Sequence, residues 1–248
     1  MKKEGWKSLK YWGFRYREQI VNKTFVKMMD ELGYDLELTY KKKQPTKAAE
    51  NRDLTMYEAM RENVLPVKNR IEFRQWLTLH ASKETECWIT VKRGKPIDPD
   101  VFYYLDAVEE ALCFGWIDST HAVIDGVRMQ RFSPRKKNSP WTELNKERVR
   151  RLEKLGLMTD AGRAVLPAMG ARSFKVDPDI ETALKQARVW SKFKSFPPLY
   201  RRVRAGNTAF YKKRNPAMYE QMLSRLIAET KKGQMFGEWN DYGRLADY

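Results

Sequence analysis

Two arginines four residues apart, Arg131 and Arg135 in the run Arg-Phe-Ser-Pro-Arg, are the side chains with the clearest chemistry to offer. A guanidinium presents a fixed fork of N–H donors that matches a carboxylate or a phosphate. On a strand, side chains four apart point the same way, so both arginines would address one anion. Trp116, Asp118, Thr120, Ser133, Ser139 and Trp141 lie close enough in sequence to join them. Together they would form a pocket with an apolar wall, a carboxylate, hydroxyls and two cations. A second chemistry is nucleophilic. Cys113 lies eight residues before His121, and a reactive thiol needs a base within hydrogen-bond reach.

The elements that must position these groups are written in the turn residues. Asp125-Gly126 separates two runs of strand-forming residues and predicts a two-residue hairpin over about 116–133. If Ile124 faces Val127, then Asp118 faces Ser133 and Thr120 faces Arg131. Trp116, Asp118, Thr120, Ala122 and Ile124 would then share a sheet face with Val127, Met129, Arg131, Ser133 and Arg135. In that register Asp118 neutralises Arg131 diagonally. Arg135 lacks an evident carboxylate and becomes the anion contact. His121 falls on the other face from Asp118, which argues against a Cys–His–Asp relay and for Cys113 as a buried, inert thiol. Ser139-Pro140 reads as a cap and first turn of a helix over 141–155, stopped by Gly156, with free amides aimed at the same anion.

The blocks ALCFGWIDS, QRFSPRKKNSPWTELN and LGLMTDAG, in that order, resemble the YdeI/OmpD-associated family, also called the bacteriocin-protection family. Weaker similarity runs from about residue 65 to the C-terminus, through FPPLYRRVRAGNTAFYKK and GEWNDYGRL. The resemblance implies a bacterial protein of resistance to bacteriocins, antimicrobial peptides or envelope stress, with an envelope protein as a partner. It implies no catalytic residues.

The remaining sequence bounds the choices. No P-loop, dinucleotide fingerprint, nucleophile elbow or HExxH motif is present, so no cofactor is expected, an enzyme is neither supported nor excluded, and the catalytic residues stay unknown. Two cysteines and two histidines do not match a zinc spacing. Net charge is +16: residues 128–154 carry +7, residues 185–214 carry +10, and the rest of the chain sums to −1. Such localisation points to an anionic partner: a phosphorylated small molecule or, alternatively, non-specific nucleic acid held by basic helices 142–155 and 185–214. Arg201, Arg202, Arg204, Lys212, Lys213 and Arg214 would carry that alternative. A third possibility is an unrecognised enzyme using the hairpin pocket. No apolar run is long enough to span a membrane, and the N-terminus lacks a signal-type apolar region, so the chain reads as cytoplasmic.

The expected fold is α+β: a small, largely antiparallel sheet including the hairpin, packed with helices, then an all-helical C-terminal half. Three regions are expected. Residues 1–64 form an extension with an aromatic helical stripe from Trp6 to Ile20 and a strand over 34–40. Residues 65–158 form the α+β core, and 159–248 a helical region packed on it. Within the last, Thr159, Asp177-Pro178 and Asn215-Pro216 read as helix starts.

Overall fold

The structure, a computed structural model, describes residues 58–136, 138–170, 174–246 and 248. The aromatic stripe and the strand expected in the N-terminal extension lie outside them. All described residues belong to one compact unit.

The Asp-Gly signal is right about the hairpin. β2 (Trp116–Ile124) and β3 (Val127–Pro134) are antiparallel and joined by Asp125 and Gly126 at φ 50° and 78°, the left-handed pair that a type I′ turn requires. A third strand, β1 (Cys87–Ile89), pairs antiparallel with β3, giving the order β1-β3-β2. One face of this sheet is covered by α1 (Arg70–His80) and α2 (Tyr104–Cys113). Phe73 and Leu77 of α1 meet Val108, Ala111 and Leu112 of α2 and Phe132 of β3 in one apolar core. Burial of this kind is the largest favourable contribution to such a fold.

The register departs from expectation half-way along the hairpin. Near the turn, Ile124 faces Val127 and Ala122 faces Met129, as expected. Between Asp118 and His121, β2 carries one extra residue, so Asp118 faces Phe132 and Trp116 faces Pro134. Beyond this bulge the predicted shared face is wrong. Trp116 and Asp118 lie with Phe132 on the helix-covered face, while Arg131 and Ser133 lie on the other. His121, which faces Gln130, shares a face with Asp118 after all. The buried Gln130 side chain holds the bulge, donating to the Thr120 carbonyl at 2.9 Å and the Arg131 carbonyl at 3.1 Å.

After the sheet the chain is helical. α3 (Glu143–Lys154) is followed by the short α4 (Asp160–Ala164), α5 (Pro178–Gln186), α6 (Trp190–Ser195), α7 (Pro198–Tyr211) and α8 (Pro216–Lys232), then a 3-10 turn at Asp241–Gly243. Thr159, Asp177 and Asn215 cap α4, α5 and α8 through their side chains, as the sequence predicts. The predicted start of α3 at Ser139-Pro140 is wrong. Thr142 is the cap, accepting from the Asn145 N–H, and the Pro140 carbonyl is taken by Arg135 instead. Gly162 lets α4 touch α2, because a Cβ there would lie 2.2 Å from the Cys113 carbonyl oxygen. A second apolar core joins α5, α6, α7 and α8 around Tyr200 and Leu226.

Candidate anion-binding site

Arg135 leaves the sheet where β3 ends, its backbone N–H donating to Gly115 O at 2.9 Å. The side chain turns inward and is only 8% exposed. Its guanidinium lies 3.7 Å from the ring centroid of Trp141, close enough for a stacked cation–π contact. Nη2 donates to Pro140 O at 2.8 Å. Nε and Nη1 are shielded from solvent and meet no acceptor, and the Ser139 hydroxyl beside this turn is in the same condition. Burial pushes the guanidinium down to about 10, with the Asp118 charge working the other way. At neutral pH the group therefore stays charged. An enclosed cation without a hydrogen-bonded counter-ion costs several kcal/mol.

Asp118 is held by a different partner from the one expected. The Tyr104 hydroxyl donates to its Oδ2 at 2.5 Å. Burial, joined by the neighbouring carboxylate, pushes the Tyr104 phenol above its usual range, so it remains a donor. Arg93 lies 3.6 Å from the Tyr104 ring centroid and donates to Gln130 Oε1 at 2.5 Å, tying this group to the bulge. On α3, the nearly buried Arg148 grips Asp241 with two bonds, 2.6 Å from Nε and 2.8 Å from Nη2, and donates to Asn145 Oδ1 at 2.7 Å. Asp118 and Tyr104 lie within electrostatic range of Arg148. Asp241 sits at φ 50°, in the left-handed region, which this bidentate pair helps to hold.

Of the eight predicted site residues, the structure brings Trp141 into contact with Arg135, places Asp118 within electrostatic range of Arg135, leaves Ser139 in the adjoining turn and separates the rest. Arg131 is not paired with Asp118. It binds Glu86 at 2.6 Å, and Ser119 Oγ accepts from it at 3.1 Å. Thr120 is exposed in the bulge, and Ser133 lies on the Arg131 face. Trp116 is core rather than pocket wall: its indole N–H donates to Ala81 O at 3.1 Å and its ring stands edge-on to Trp76. Cys113 is buried, its thiol pushed up to about 11 by burial, while His121 is exposed. No thiolate relay forms. Sequence reading missed Tyr104, Arg148 and Asp241.

A family model matches residues 65–165. Its description is a domain of unknown function (DUF8412). The matched span holds Tyr104, Asp118, Arg135 and Arg148 but not Asp241. No curated protein and no solved structure matches the chain.

The basic C-terminal blocks are partly turned inward. Arg202 meets Glu147 at 2.8 Å and Glu143 at 3.4 Å, and Lys212 meets Asp179 at 2.6 Å and Asp177 at 2.9 Å. Arg204 lies 4.8 Å from the Phe236 ring centroid, its guanidinium pushed down by burial. Arg201 is half-buried, whereas Lys213 and Arg214 are exposed. Acids from other segments thus answer Arg202 and Lys212, in a block that has no acid of its own. No described helix is long and apolar enough to cross a membrane.

Proposed function

We propose that this protein binds a small oxyanion, a carboxylate or phosphate group, at Arg135. The observation that carries the reading is a buried guanidinium, stacked on Trp141, whose Nε and Nη1 nitrogens are shielded from solvent and meet no acceptor. Buried polar groups are normally satisfied, so an unfilled fork calls for a partner. An oxyanion supplies two acceptors and one negative charge. Asp118 lies within electrostatic range of Arg135 but is hydrogen-bonded to Tyr104, so the Nε and Nη1 donors of Arg135 are left to a ligand. Binding requires the groups packed over Nε and Nη1 to open. The resemblance to the bacteriocin-protection family supports placing this binding in resistance to antimicrobial peptides or envelope stress. The resemblance supports a bacterial setting.

The test uses inorganic phosphate and a phosphomonoester at low ionic strength. Each should raise the melting temperature of the wild-type protein and change Trp141 fluorescence. In Arg135→Met both responses should vanish while the unliganded protein stays folded. An unchanged response in that variant refutes the site. A sensitised bacterial strain expressing Arg135→Met should also lose protection given by the wild-type chain.

A further inference from the structure

A separate groove of about 420 Å3 opens between α1 and α3, over one side of α2. Its size falls within the range of small-molecule sites. Arg70, Arg74 and Arg151 line it together with Ile71, Leu155 and Leu157. The arginines are anchored from below by carboxylates of α2. Glu110, almost fully buried, accepts from Arg70 Nε and from Arg74 Nη1 at 2.7 Å. Glu109, 0% exposed, accepts from Arg70 at 3.0 Å, Arg151 at 2.8 Å and Arg244 at 3.1 Å. Asp106 completes the set with Arg244 at 2.8 Å and Arg70 at 3.6 Å. Four guanidiniums meet three carboxylates, which leaves one positive charge over.

These arginines are oriented before any ligand arrives, and they have donors to spare. Arg151 uses only Nη1 among the described residues, so the Nε and Nη2 edge of its fork is uncommitted. The ordering entropy that weakens surface guanidinium contacts has already been met by the buried acids. The other part of the groove is apolar and wet: Ile71 is 69% exposed and Leu155 49%. An inorganic anion would satisfy the charge and leave these side chains in water. A neutral apolar molecule would leave the charge unanswered. We propose that the groove binds an amphiphilic monoanion, an aliphatic carboxylate whose head meets Arg151 and Arg70 and whose chain lies on Ile71 and Leu155. One excess charge in the ion network suits a monoanion. This proposal does not depend on the reading of Arg135.

Octanoate, below its micelle concentration and at low salt, is the probe, titrated by calorimetry and by the arginine side-chain N–H signals. Saturable binding is expected, with Arg70 and Arg151 Nε signals moving. Ile71→Glu, at an exposed position outside the ion network, should weaken binding at least about tenfold, an effect of one unpaired like charge in a small site, and leave the melting temperature unchanged. Arg151→Gln should weaken it similarly. Arg135→Met should bind octanoate as the wild type does, which separates this site from the proposed oxyanion site. Absence of saturable binding overturns the proposal. So does acetate or inorganic phosphate binding as tightly as octanoate, or Ile71→Glu binding it unaltered.

Discussion

Arginine is used in two opposite ways in this molecule. Around α2, Arg70, Arg74, Arg151 and Arg244 each meet at least one carboxylate, and the acids they meet are almost fully enclosed. At the end of β3, Arg135 is also buried, though less completely than those acids, yet it touches only an indole ring and one carbonyl. In the first arrangement the buried acids are shared between guanidiniums, so removing an acid leaves several cations without it. The second is incomplete, so removing the charge relieves the fold and takes away only what a ligand would use. The comparison teaches that burial alone does not mark an arginine as structural; the presence of its acceptor does.

The sharpest way to break this contrast is at Glu109. Glu109→Ala should destabilise the protein by about 3–5 kcal/mol, because Arg70, Arg151 and Arg244 lose a shared buried acceptor. Denaturant unfolding measures it, and a loss near zero would erase the distinction. Asp241→Asn should come next, at about 2–4 kcal/mol, since the buried Arg148 keeps hydrogen-bond geometry but loses the charge. Arg135→Met should move in the other direction, raising stability by about 1–2 kcal/mol despite the lost bond to Pro140. A drop of similar size would make Arg135 a structural group. Cys113→Ala should cost about 1–2 kcal/mol as a small core truncation, and the native thiol should alkylate slowly.

Proton linkage sharpens the same contrast. Burial lowers the folded-state titration of Arg135 to about 10, so the folded protein releases this proton before the unfolded chain does. Once phosphate is fully a dianion, above neutral pH, its affinity should therefore hold steady and then fall as pH rises through about 10. The penalty of the uncompensated charge fades over the same window. In Arg135→Met neither change should occur. Phosphate affinity that is flat up to pH 11 would detach the anion response from Arg135.

Much of the frame was legible in the chain. Asp125-Gly126 located the hairpin because few residues accept two successive positive φ values, and the Asp-Pro and Asn-Pro pairs located two helix starts. The bulge was not legible. Asp118, Ser119 and Thr120 are consecutive polar residues, and with no apolar alternation nothing in that stretch pins the register. Ser139-Pro140 misled because Thr142 offers a competing cap two residues after the proline. Within the site, Arg135 and Trp141 were found because they are local to the hairpin. Tyr104, Arg148 and Asp241 come from elements brought together only by packing, and no spacing rule connects them. One further signal lies in the sequence of α2. Glu109 and Glu110 interrupt an otherwise apolar stretch on α2, and acids enclosed in such a helix must find cations.

The bond from Arg148 to Asp241 also bears on where the protein can be cut. The region matched by the family model ends at residue 165, yet a buried cation inside it takes its counter-ion from seventy-six residues further on. Arg244, from the same tail, reaches back to Asp106 and Glu109. A fragment spanning only 65–165 would carry an enclosed guanidinium and two acids with their distant partner gone. Such a piece is expected to unfold or to recruit the tail peptide when it is added in trans. The C-terminal turn thus works as a clasp: the first half of the described chain is closed by its last few residues.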